Sequence, residues 1–132
     1  MNRIACRIAT ITVTAVSALA AVLAFGSPAH ADPTATATFT WMGDGADYAV
    51  VQLNEEAVRS ATDYDAGLGW AVDDLCGQIT DVLNGHRQSR GYTVGLATSD
   101  CIAIWRHCVA IRSNNRVQFS VFADLTYRCG QY

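Results

Sequence analysis

Lysine is absent from the sequence, and both proline and charge are scarce. All nine basic residues are Arg, there are two Pro, and 16% of the 132 residues are charged. This length excludes a large enzyme or a multidomain protein, and the 51% apolar content excludes an ordinary disordered chain. The use of Arg alone, with abundant Ala, Val, Thr, Gly and Asp, indicates a GC-rich bacterial genome.

The N-terminus carries the longest apolar run of the chain. Arg3 and Arg7 precede the apolar residues 8–25, and a small-x-small site follows at residues 29–31. This three-part order is typical of a secretory signal peptide. We therefore predict that residues 1–31 are a signal peptide that is cleaved off.

The alternative for this run is a retained membrane anchor, because about 18 apolar residues are near the lower limit for crossing a bilayer. No second long apolar run follows in the sequence. We therefore expect residues 32–132 to form one small domain that is secreted, extracellular and free of the membrane after cleavage.

Four cysteines follow the predicted signal peptide: Cys76, Cys101, Cys108 and Cys129. An even count in a small exported chain predicts two disulfides. A four-thiolate metal site is the alternative, but the sequence has no C-x-x-C pair, and we predict no metal and no cofactor. Two pairings remain open, Cys76–Cys129 with Cys101–Cys108, and Cys101–Cys129 with Cys76–Cys108.

Apolar periodicity predicts the fold. Two-residue alternation or β-branched apolar runs predict strands at 34–41, 48–53, 92–98, 101–112 and 117–129. Helical spacing predicts one main helix whose buried face is Val72, Leu75, Cys76, Ile79, Val82 and Leu83. Asn84-Gly85 is predicted to end that helix, and the polar residues 54–65 allow a short helical turn. The predicted fold is α+β, an antiparallel sheet of about five strands in the order β-β-α-β-β-β with one main helix on one face.

The sequence offers few residues for catalysis. It has no G-x-S-x-G or H-E-x-x-H motif, and only His86 and His107 follow the signal peptide. We therefore predict no catalytic residues and no enzyme activity. The alternative is a small hydrolase or ribonuclease around His107, with Arg106, Arg112 and either Glu55 or Glu56 as partners.

Charge is divided unevenly along the chain. Residues 32–81 hold ten acidic residues and one Arg, whereas residues 82–132 hold two acidic residues and six Arg, which leaves a net −5. That balance opposes nucleic-acid binding. The division predicts an acidic side and an arginine-bearing sheet. One interpretation is that these charges provide solubility and pair with each other within the molecule. The other is that they dock to protein partners.

The leading prediction is a secreted, non-catalytic protein-binding module, such as an adaptor or accessory subunit of an extracellular complex, for example a secreted toxin assembly. Residues 32–40 would then be an extended arm. The candidate binding residues are Trp41, Trp105, Arg106, His107 and Arg112, although each Trp also suits the core of so small a domain. A protease inhibitor that presents 102–107 as a loop closed by Cys101–Cys108 is the other alternative.

Overall fold

The computed structural model describes residues 13–14, 18–19, 22–26, 35–112 and 114–132. Its strands are β1 (Val13–Thr14), β2 (Ala18–Leu19), β3 (Val22–Gly26), β4 (Thr36–Met42), β5 (Tyr48–Leu53), β6 (Val117–Val121) and β7 (Tyr127–Gln131). Its helices are α1 (Glu55–Thr62), α2 (Gly69–Ser89) and α3 (Thr98–Ile111), with a 3₁₀ turn at Tyr64–Ala66. Most of the predicted signal peptide, including Arg3, Arg7 and residues 29–31, lies outside the described residues, and its cleavage stays a prediction.

Five strands form one antiparallel sheet in the order β3-β4-β5-β6-β7, and β1 pairs with β2 in a second, two-stranded sheet. One face of the sheet is buried under the helices, as the alternation along β4 shows: Ala37, Phe39 and Trp41 are buried, whereas the threonines between them are partly exposed. The α+β class, the antiparallel sheet of five strands and the main helix on one face are therefore confirmed. The predicted extended arm at residues 32–40 is wrong for residues 37–40, because these pair with β5 as part of the sheet, whereas residues 32–34 lie outside the described residues.

Two predicted strands are not strands. Residues 92–97 have no regular structure, and residues 101–111 belong to α3. The buried residues of α3 recur at helical spacing: Cys101, Ile104, Trp105, Cys108 and Val109. Its apolar face packs on the sheet at this spacing, so burial along the helix prevails over the β-branched composition that favours a strand.

The predicted strand at 117–129 is a hairpin, β6 and β7, joined by a turn at residues 122–126. Phe122 and Thr126 close the turn through the Phe122 N–H and Thr126 carbonyl at 2.8 Å, and Leu125 takes a left-handed φ of 68°. Asp124 Oδ1 accepts from the Thr126 hydroxyl at 2.6 Å. The hydrogen bonds from Thr126 lower the pKa of Asp124. The element order is consequently β-β-α-α-α-β-β from β4 onward, and the order β-β-α-β-β-β is wrong.

The main helix runs four residues beyond Gly85, so Asn84-Gly85 does not end it. Its last turns carry Arg87, a buried cation with no carboxylate partner among the described residues. Arg87 Nε donates to the Val94 carbonyl at 3.0 Å, and Nη1 donates to the Ala123 carbonyl at 2.8 Å. These bonds attach the irregular residues 92–97 and the β6–β7 turn to α2.

The two bridges are Cys76–Cys101, with Cα atoms 5.7 Å apart, and Cys108–Cys129, with Cα atoms 5.2 Å apart. The prediction of two disulfides is therefore confirmed, but neither pairing derived from the sequence is present. Both of those pairings assumed that 101–112 is a strand or a loop. Disulfides are typical of oxidising compartments, which is consistent with an extracellular protein.

Trypsin should report this pairing directly, because arginines separate all four cysteines. Non-reducing digestion should give peptide 60–87 linked to 91–106, and peptide 107–112 linked to 129–132. Mass spectrometry before and after reduction measures both adducts. Peptide 91–106 linked to 107–112 would show a Cys101–Cys108 bridge. That result would contradict the structure and support the closed loop 102–107 of the inhibitor alternative.

Replacing Arg87 should destabilise the fold, because Arg87→Met leaves the Val94 and Ala123 carbonyls without their donor. We expect the free energy of unfolding in urea to fall by about 2–3 kcal/mol. Arg116→Met, at an exposed arginine, is the control and should change it by less than about 0.5 kcal/mol. Equal effects of the two substitutions would show that the Arg87 bonds add no stability.

Candidate functional site

An open groove between α1 and α3 brings together three of the five candidate binding residues. Its volume is about 640 Å³. The lining residues are Ala61, Thr62, Arg106, His107, Val109, Ala110 and Arg112. The bridges at Cys101 and Cys108 position the wall that α3 contributes, because one ties α3 to α2 and the other ties it to β7.

Arg106 is positioned by the segment that precedes α2. Its guanidinium lies 4.1 Å from the centre of the Tyr64 ring, and Nη2 lies 3.4 Å from Asp65 Oδ2, which is largely exposed. The Tyr64 hydroxyl donates to Asp73 Oδ1 at 2.5 Å, and this hydrogen bond raises the pKa of Tyr64. Tyr64 is therefore a fixed, neutral ring under a cation whose outer side faces the solvent.

Arg112 is held at the end of α3. Its Nη2 donates to the Cys129 carbonyl at 2.9 Å, beside the Cys108–Cys129 bridge. Its Nε is buried and makes no hydrogen bond in the structure. The guanidinium group of Arg112 thus carries a positive charge, and the protein satisfies only some of its N–H donors.

His107 is exposed, and its ring contacts the Tyr127 ring edge-on at 6.0 Å between centroids. No carboxylate is among the described residues that line the groove. Glu55 accepts from Asn115 at 3.0 Å and Glu56 accepts from Asn54 at 3.2 Å, both outside the groove. The carboxylates considered for a ribonuclease are therefore not brought next to His107.

The two tryptophans among the candidate residues are core residues. Trp105 is completely buried and packs against Phe119 at 6.4 Å between ring centroids. Trp41 is 8% exposed and stacks on His86 at 4.9 Å. Neither lines the groove, which leaves Arg106, His107 and Arg112 as the assembled set. The segment 102–107 is helical, so the disulfide-closed loop of the inhibitor alternative is not present.

The arginine-bearing sheet is also wrong, because Arg128 is the only arginine among the described residues that lies in a strand. Arg87 lies on α2, Arg106 lies on α3, and Arg90 and Arg112 directly follow these helices. Arg90 pairs at 3.0 Å with Asp47, which also accepts from the Tyr92 hydroxyl. The excess of arginine in the second half of the chain therefore serves partly to join elements and partly to charge the groove.

The chain matches no protein-family model, and no curated protein or solved structure is significantly similar to it. Within the described ranges, no helix is long and apolar enough to cross a membrane. The same part of the chain holds no cluster of three or more His, Cys, Asp or Glu that fits a metal ion.

The predicted helix end at Asn84-Gly85 places His86 outside the main helix, so the sequence analysis missed its contacts with the core. His86 is half-buried on α2, which continues past it, and stacks on Trp41 and on Phe39, the latter at 5.9 Å. Burial lowers its pKa from the ordinary value of 6.5. The signal in the sequence was its spacing of three residues from Leu83 and seven from Ile79, on the buried face of α2.

The lowered pKa of His86 predicts a pH effect on stability. Near and below pH 6.5 the unfolded chain binds this proton more readily than the folded chain. The contribution of His86 to the free energy of unfolding should therefore fall as the pH drops through 6.5, and level off below the folded pKa. His86→Gln should flatten this dependence in urea unfolding between pH 5 and pH 8, whereas His107→Gln should preserve it. An unchanged slope in His86→Gln would contradict the assignment.

Proposed function

We propose that this protein is a secreted, non-catalytic binding module that holds an acidic segment of a partner protein in the groove between α1 and α3. The observation that carries this proposal is the presence of two guanidinium groups and an imidazole in one open groove, with no described carboxylate lining it. An acidic segment complements this charge.

The charges are held in place before a partner arrives. Arg106 is fixed by Tyr64 and Asp65, and Arg112 is fixed by the Cys129 carbonyl. Preorganised side chains lose little conformational entropy on binding, so more of the interaction energy appears as affinity.

The exposed face of α3 allows a partner segment to lie close to the helix backbone. Ala103 and Ala110 are exposed on it beside Arg106 and His107, and Ile111 is 54% exposed at its end. Small side chains let a partner backbone come near the helix, while Ile111 offers apolar area at the end of α3. This combination fits an acidic segment that also carries apolar residues.

Binding is better supported than hydrolysis at His107. A histidine base is usually oriented by a carboxylate that accepts from its second ring nitrogen. The ring contact recorded for His107 is with Tyr127, an aromatic side chain. An adaptor or accessory subunit of an extracellular complex remains the form of this function that we favour.

A negative charge in the groove should weaken partner binding. We would replace exposed Thr62, at the rim, with the photo-crosslinker p-benzoylphenylalanine and irradiate the secreted protein in its own culture fluid. The expected result is one stoichiometric adduct with an acidic protein. Ala110→Glu should reduce its yield about tenfold, because the new carboxylate repels an acidic segment and competes with it for Arg106 and Arg112.

Gln88→Glu is the control, since it adds the same charge at an exposed position near the end of α2, outside the residues that line the groove. It should leave the yield unchanged. About 0.5 M NaCl should lower the yield, because charge attraction at an exposed groove is screened. An adduct that Ala110→Glu and Gln88→Glu affect equally, or uncrosslinked monomer alone, would contradict the proposal.

A further inference from the structure

The outer edge of β4 is covered by a segment that belongs to the predicted signal peptide. β3 pairs with β4 antiparallel, with Leu23 opposite Phe39 and Phe25 opposite Ala37. Cleavage after residue 31 would remove β3 and leave β4 as the edge of the sheet. The mature protein would then have two sheet edges, β4 and β7.

The hydrogen bonds between β4 and the end of β5 show which backbone N–H and C=O groups of β4 point toward β3. The Thr36 carbonyl accepts from the Asn54 N–H at 3.2 Å, and the Thr36 N–H donates to Asn54 Oδ1 at 2.9 Å. Both polar backbone groups of Thr36 therefore face β5. Because direction alternates along a strand, Ala37, Phe39 and Trp41 turn their N–H and C=O groups toward β3.

β4 lacks the features by which edge strands avoid pairing with other chains. Its seven residues, Thr36–Met42, include no charged residue, no Pro and no Gly. β7, at the other edge, carries the exposed Arg128 together with Gly130, and it is crosslinked through Cys129. Charged residues and glycines discourage strand addition, so β4 is the less protected of the two edges.

Side chains add chemical selectivity to this edge. Cross-strand partners share a face, so Leu23 and Phe25 lie on the helix side of the sheet, above Phe39 and Ala37. Phe25 is partly buried against the core, whereas Leu23 is 38% exposed. The helix α2 contacts both β3 and β4 and so covers one side of the position that β3 occupies. This position accepts two apolar side chains that are two residues apart.

We propose that the edge of β4 is a strand-acceptor site, which in the mature protein binds an extended apolar segment of another polypeptide in the register that β3 uses. The site rests on removal of residues 1–31 and uses backbone groups, so it is independent of the charged groove. β3 itself shows the chemistry of the occupant: a short, uncharged strand with large apolar residues at alternate positions.

A second copy of this chain does not suit the site. Symmetric pairing of two β4 strands would place the second β4 where β3 lies, and the second α2 would then cover the same junction from the same face. Since α2 already contacts both β3 and β4, the two helices would compete for one volume. An extended segment without a packed helix avoids this conflict.

The probe for this site is a synthetic peptide of residues 20–28, labelled with a fluorophore. The receptor is the processed protein from culture fluid, with its N-terminus sequenced and its two bridges verified. Saturable binding, followed by fluorescence anisotropy, is expected. Full-length protein that retains residues 1–31 should bind at least about tenfold more weakly, because β3 competes for the edge.

Backbone methylation of the peptide distinguishes strand pairing from apolar adsorption. N-methylation at Leu23 or Phe25 removes an N–H that faces β4 and should weaken binding about tenfold for each bond. N-methylation at Ala24 is the matched control, because its N–H faces away from β4, and it should leave affinity within about twofold.

Four results would overturn the proposal. They are no binding by the processed protein, equal losses from methylation at all three positions, a processed protein that keeps residues 22–26, and a dimer that the peptide dissociates. The last result would assign the edge to a second copy. Failure here leaves the crosslink from position 62 unaffected, so the two sites are tested separately.

Discussion

The position of α3 depends on two covalent bonds at the two ends of one short stretch. Cys101 joins it to α2, and Cys108 joins it to β7. In a domain with so small a core, each bridge contributes about 2–4 kcal/mol, mainly by restricting the unfolded chain. Arg106 and His107 lie between the two bridged positions, so the crosslinks that stabilise the fold also determine where the charged wall of the groove stands.

The two proposed surfaces use opposite ends of the sheet and different physics. α3 contacts β6 and β7, whereas α2 contacts β3 and β4. The groove beside α3 offers fixed cations to an acidic segment, and its strength should depend on salt. The β4 edge offers backbone donors and acceptors with an apolar slot, and salt should affect it little. One partner with an acidic part and an extended apolar part, or two different partners, fits this layout.

The sequence predicts the class of the fold because alternation along β4 and β5 and the apolar face of α2 are strong local signals. It does not predict α3, because Ile102, Ile104 and Val109 favour a strand by composition, although Cys101, Trp105 and Cys108 already show helical spacing. The hairpin was missed because a five-residue turn keeps Val121 and Tyr127 on one face. Within 117–129 the other apolar residues stand at odd-numbered positions, and Phe122 is the one at an even-numbered position. This break in the alternation coincides with the start of the turn. Arg106, His107 and Arg112 were named as candidates from the sequence, but the groove that they line depends on a disulfide pairing that spacing alone does not determine.

The Cys108–Cys129 bridge has a consequence for where the protein can act. Cys129 is both a half of that bridge and the residue whose carbonyl holds Arg112. Cytoplasmic reductants keep cysteines in the thiol form. In such a compartment the chain would carry the residues of the groove without the disulfide that helps to position them. The recognition that we propose for the groove would therefore depend on an oxidising compartment.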